Sequence, residues 1–167
     1  GTNWLLATVG GPRQRPRESN SSASYGAPVT NVLIIDKESG ASVSLLPNER
    51  NFVRGHRLIW PVPGVVDGIA PGVEDGFAVP APTHFMLDAE LRGEGLRGRR
   101  LLLGGLDDFK SSLVARGYVA IHHMEMLDDT RLSILLGYPD RDELLIVDLA
   151  GDRIERRRWI DPARVAR

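Results

Sequence analysis

An all-β fold of antiparallel meander sheets, open or packed as a sandwich, is what the sequence predicts, and three observations lead there. Apolar runs are short and tend to alternate with polar residues at period two, the pattern of half-buried strands. Several runs end in an Asp with a Gly a few residues on, a turn signal that joins neighbouring strands into hairpins. No segment sustains a 3.6-residue apolar period, so no long amphipathic helix is expected. Roughly nine to eleven strands fit the pattern. The 167 residues, 42% hydrophobic, suffice for one β domain spanning 1–167.

In chain order, residues 3–9 form the first strand. Residues 10–28 follow as a flexible loop, in which Arg13, Arg15 and Arg17 have the chemistry to grip phosphate but belong to a segment of the kind that is ordinarily solvated. NVLIIDKESGASVSLLPN is a hairpin: Asp36 ends one strand, Gly40 closes the turn, and Val43 and Leu45 alternate before Pro47 and Asn48 stop the second. Residues 61–82 are a Pro/Gly-rich insertion holding one octapeptide twice, PGVVDGIA and PGVEDGFA. Pro-Gly suits a type II turn and Asp-Gly a type I′ turn, so no regular element continues through it; a surface-loop duplication or a lid is expected.

Phe85 to Leu87, Asp88 and Gly93 make a looser copy of the hairpin plan. Residues 98–105 and 114–127 supply at least two more strands, with a short helical turn in LDDFKSSLVARG. Residues 131–138 lead through Pro139, Asp140, Arg141 and Asp142 into the last hairpin, where Asp148 and Gly151 precede a strand containing Ile154. These three strands form a meander. Asp36, Asp88 and Asp148 are all read as turn residues, their carboxylates accepting backbone N–H groups while Gly takes the positive-φ position.

Composition narrows the partners. Twenty-one basic and 22 acidic side chains leave a net charge of −1, so no global field steers nucleic acid or an anionic membrane to the chain. No nucleic-acid partner is expected. The lack of cysteine excludes disulfides, thiol catalysis and thiolate metal sites, and suits periplasm and cytoplasm alike. No apolar run approaches the ~20 residues of a spanning helix, so no membrane segment is expected. Nineteen Arg against Lys37 and Lys110 fit a GC-rich bacterial genome. The start at Gly1 and Thr2, without Met, leads to the expectation that a signal peptide or anchor has been removed and that the protein is periplasmic or exported.

The apolar-apolar-apolar-Asp-x-x-x-Gly hairpins, above all LDDTRLSILLGYPDRDELLIVDLAGDRIE, resemble single blades of the β-propeller proteins found in bacterial envelopes, among them exported bacterial proteins. The resemblance implies a structural motif and no catalytic residues. A propeller usually needs about four or more blades of near 40 residues. At most three units are recognisable, unevenly spaced, so an open sheet or sandwich is expected over a closed propeller.

Candidate sites are few. Asp67, Glu74 and Asp75 in the duplicated loop are candidate ligand-binding carboxylates, although they lack the alternating spacing of a calcium loop. In IHHMEM, a strand places His123 and Glu125 on one face and His122, Met124 and Met126 on the other; His84 or His56 would complete a metal set with His123 and Glu125. Gly117, His123, Glu125 and Asp129 also resemble the first metal motif of cupins, without its His-x-His pair. Arg153, Arg156, Arg158 and Trp159 are candidate protein-binding residues, since Arg and Trp favour interface hot spots. No nucleophile elbow or phosphate-loop motif is present, and no cofactor is expected. The expected function is a non-enzymatic interaction or structural β module of a bacterial envelope protein, partnered by another envelope protein or by self-association. The alternative is a metal-dependent or small-molecule-binding β enzyme with residues 61–82 as its lid.

Overall fold

The computed structural model of the chain describes residues 3–10, 28–46, 51–62, 81–90 and 98–161. They hold eleven strands: β1 (Trp4–Gly10), β2 (Val29–Asp36), β3 (Ser42–Ser44), β4 (Phe52–Ile59), β5 (His84–Glu90), β6 (Arg99–Gly105), β7 (Ser111–Arg116), β8 (Ala120–Met126), β9 (Arg131–Gly137), β10 (Asp142–Asp148) and β11 (Arg153–Ile160). Consecutive strands pair antiparallel into three sheets, β1-β2-β3, β4-β5-β6-β7 and β8-β9-β10-β11, none closed on itself. This is the all-β architecture of open, layered meanders that the alternation predicts. Among the described residues there is no helix, and so none long and apolar enough to cross a membrane.

The second sheet lies in the middle and buries both faces. Val53, Phe85, Leu87 and Ala89 pack against Val32, Ile34 and Leu46 of the first sheet side. Ile59, Met86, Leu101 and Leu103 pack against Leu132, Ile134, Leu136 and Leu145 of the third sheet. Side chains alternate across a strand, so β5 sends Phe85 and Leu87 one way and Met86 and Asp88 the other. That is why HFMLDAE reads as a nearly continuous apolar run: it has no solvent face. Phe85 is fully buried, a burial worth about 1.5–3 kcal/mol. Its ring and the Lys110 carbonyl occupy the space that a Cβ at Gly104 would need, so only glycine fits there.

The turn chemistry holds in part. Asp36 Oδ1 accepts the N–H of Glu38 at 2.8 Å and of Ser39 at 3.3 Å, and Gly40 closes the turn at φ 71°. These bonds hold the Asp36 carboxyl below the usual carboxylate range. Asp148 Oδ1 accepts the N–H of Gly151 at 3.1 Å, but the left-handed residue is Asp152, φ 46°, rather than the glycine. Asp88 departs from the expectation altogether: it sits inside β5, buried, and caps no turn.

The helical turn expected in residues 106–117 is instead a tight reversal followed by strand β7. Asp108 Oδ1 accepts the Lys110 N–H at 2.9 Å and Phe109 adopts φ 55°, which turns the chain back into the sheet. The strand β4, FVRGHRLI, is not announced by the sequence pattern, because Arg54, Gly55, His56 and Arg57 interrupt its apolar alternation. Most of the loop 10–28 and of the insertion 61–82 lies outside the described residues.

Candidate functional site

Strands β4 and β8 are edge strands of the second and third sheets, and each carries a β-bulge. The ladder of β4 with β5 shifts between Val53 and Gly55, leaving Arg54 extra; that of β8 with β9 shifts between Ile121 and His123, leaving His122 extra. A bulge bends the strand and re-aims the extra side chain. Between the two edges opens a cleft of about 670 Å³, within the size range of ligand pockets. Its lining combines Val29, Val53, Met86, Ile121 and Met124 with Arg54, His56, Arg57, Asp88, Arg99, His122 and His123 around the bare backbone of Gly55.

The bulge corrects the expected facing of β8. Ile121, Met124 and Met126 point to the core, while His122 and His123 are both exposed. His122 Nε2 lies 3.4 Å from the Asp142 carboxylate, and its ring fills the space where a Cβ at Gly137 would stand. His123 Nε2 lies 3.3 Å from Glu125, and Arg54 Nη2 3.2 Å from Glu90.

Asp88 is the fixed charge of the cleft. Arg99 donates to it from Nε at 2.8 Å and Nη2 at 2.5 Å, and the Tyr118 hydroxyl donates at 2.7 Å. The Arg99 guanidinium also lies 4.7 Å over the Tyr118 ring, and its Nη1 donates to the Val119 carbonyl. Burial, then the neighbouring Asp88 carboxylate, push the Tyr118 phenol well above its ordinary pKa. The hydrogen bond to Asp88 raises the Arg99 pKa. Asp88 is thus a positioned counter-ion with its acceptors engaged.

A second carboxylate–Arg–Tyr group lies in the same intersheet layer. Glu143 is fully buried; its Oε2 accepts the Tyr138 hydroxyl at 2.9 Å, and its Oε1 has the Arg157 Nε at 3.1 Å without a directed hydrogen bond. Burial and Glu143 push the Tyr138 phenol up to about 12. Arg157 Nη2 donates to the Val114 carbonyl at 3.0 Å, tying β11 to β7 of the next sheet.

The residues expected at protein-binding and metal sites fall apart in space. Strand register puts Arg156 opposite Ile146 and Arg158 opposite Leu144, on the face away from the core, and Trp159 opposite the buried Glu143. Trp159 meets Tyr138 edge-on at 5.1 Å and carries the Arg141 guanidinium at 4.0 Å. Arg153 pairs with Asp148 at 3.2 Å. His84 uses both ring nitrogens, Nδ1 with Thr83 Oγ1 at 2.8 Å and Nε2 with the Leu149 carbonyl at 3.1 Å, while His123 and Glu125 face each other. Among the described residues, no three His, Asp or Glu side chains are placed to hold a metal ion, so His84, His123 and Glu125 do not form the expected set. Asp67, Glu74 and Asp75 lie outside the described residues.

Sequence reasoning missed Asp88, Arg99, Tyr118, Arg54 and Arg57. The one available signal was a carboxylate interrupting the apolar run of β5, where a turn was expected. Comparison of the chain with protein-family profiles, curated proteins and solved structures returned no match.

Proposed function

We propose that the chain is a non-enzymatic binding module of a bacterial envelope protein, made of propeller-like sheets, with the β4/β8 cleft as its recognition site. One observation carries the reading: among the described residues the cleft sets apolar walls beside arginines, and its one lining carboxylate, Asp88, is already held by Arg99 and Tyr118. His122 and His123, which have the chemistry of a general acid or base, stand beside Asp142 and Glu125 on an exposed edge strand, and the described lining sets no hydroxyl or thiol nucleophile with them. A cleft with apolar walls and a few oriented cations suits holding a ligand. The propeller-like part rests on two successive four-stranded meanders stacked face to face, whose first strands both turn a bulge residue into the same cleft.

Gly55 provides the test, because a Cβ there meets only the Asp88 Cβ at 3.8 Å, so a side chain enters the cleft without disturbing the sheet. A panel of small metabolites is screened for compounds that raise the melting temperature of the wild type, with mass spectrometry of each hit after incubation. Expected are hits recovered chemically unchanged and lost in Gly55→Leu. Turnover of a hit would overturn the non-enzymatic reading, and hits retained in Gly55→Leu would move recognition away from the cleft.

A further inference from the structure

We infer that the cleft receives a ligand with an apolar body ending in a single carboxylate, and that Arg57 binds that carboxylate. The inference rests on the cleft being the recognition site. The basic side chains around it are almost all partnered: Arg54 has Glu90, Arg99 is spent on Asp88 and the Val119 carbonyl, and His122 and His123 stand beside Asp142 and Glu125. Arg57 is the exception, with no hydrogen bond or ion pair among the described residues. It lies opposite Met86 in the register of β4 and β5, two residues from Gly55, where no side chain narrows the cleft.

One guanidinium unmatched among the described residues fits one carboxylate, which it takes with two parallel N–H···O bonds. A dianionic phosphate would bring more charge than this lining matches. Met86 lies opposite Arg57 in the sheet, Ile121 and Met124 add apolar wall elsewhere in the same cleft, and methionine adapts to apolar ligands of varied shape. The carboxylate therefore has an aliphatic body attached, either as a free organic acid or as the terminus of an apolar peptide.

The experiment measures binding by isothermal titration calorimetry with octanoate against octanol, and with acetyl-Val-Leu as the free acid against its amide. The proteins are the wild type, Arg57→Met, Gly55→Leu and Arg153→Met as a distant control, each first shown to melt cooperatively; Arg57→Gln replaces Arg57→Met if that variant does not fold. Expected is binding of at least one acid to the wild type and to Arg153→Met about tenfold or more tighter than its neutral counterpart, the size of one charge-assisted hydrogen bond. That preference disappears in Arg57→Met, and binding itself disappears in Gly55→Leu. Which acid binds identifies the free acid or the chain terminus as the source. Acids and neutral counterparts binding alike, the preference surviving in Arg57→Met, or no probe binding would each overturn the inference. Undiminished binding to Gly55→Leu would defeat the cleft reading itself, whereas loss in Gly55→Leu with an unchanged Arg57→Met defeats only the carboxylate assignment.

Discussion

The two layers between the three sheets are built on different chemistry. Between the first and second sheets the contacts are aliphatic and aromatic, and Asn31, buried on the β2 face opposite Val32 and Ile34, is fully satisfied: its Nδ2 donates to Ser44 Oγ at 2.7 Å and the Leu46 carbonyl at 2.9 Å, and its Oδ1 accepts from the Val32 and Leu46 N–H groups. Between the second and third sheets, apolar packing surrounds two carboxylates, Asp88 and Glu143, each with an Arg and a Tyr. Desolvation consumes much of the attraction of a buried ion pair, so the charged layer gains little net stability from its ions. It gains direction, because bidentate and phenolic bonds fix where Arg99 and Asp88 stand. Adhesion and orientation are thus assigned to opposite faces of the same central sheet, and the cleft opens on the oriented one.

The comparison is broken most forcefully at Asp88. Asp88→Ala leaves the half-buried Arg99 and the buried Tyr118 hydroxyl without their partner, and a loss of about 3 kcal/mol is expected in urea unfolding. Replacing all three together, Asp88→Leu with Arg99→Met and Tyr118→Phe, is expected to recover most of that loss. A triple variant as unstable as the single one would show that the charged layer supplies adhesion as well. Tyr118→Phe alone removes one bond to a charged acceptor and is expected to cost about 1.5–3 kcal/mol by the same measurement.

In the dry layer, Phe85→Leu is expected to cost about 1.5 kcal/mol, with no partner substitution able to restore it, because only packing is lost. The smallest effect belongs to a turn outside both layers. The Asp128 carboxylate accepts the Thr130 N–H and an Arg131 side-chain bond, which hold its pKa at about 2 against an ordinary 3.8. A folded pKa below the unfolded one contributes stability above about pH 4 that is lost as the pH falls toward 2. Thermal melts of Asp128→Asn should therefore lie slightly below the wild type at pH 7 and converge with it only as the pH falls through about 2, a gap kept small by solvent screening.

The sheets were legible because apolar runs bounded by turn signals survive in β2, β9 and β10, and the alternation of β10 holds even though Glu143 takes one of its buried positions. The site was nearly illegible for the complementary reason. In β4 the residues lining the cleft displace the apolar ones that would have announced a strand, and in β8 the extra His122 throws the alternation out of phase. Asp88 was mistaken for a turn residue because its partners lie 11 and 30 positions away, and no local rule connects them. Arg153, Arg156, Arg158 and Trp159, contiguous on paper, divide between two faces of one strand.

The bulges at Arg54 and His122 act as joints in a rhythm of two. On either side of such a joint the chain counts inside and outside independently, so the identity of the joint residue is free while its presence is not. Exchanging His122 for another residue changes what the cleft offers; removing it would shift the count and turn Ile121, on the short arm before the joint, from the core toward water. Chain length, more than residue choice, is what this edge has to hold constant, and variation in the cleft can proceed by substitution without renegotiating the packing behind it.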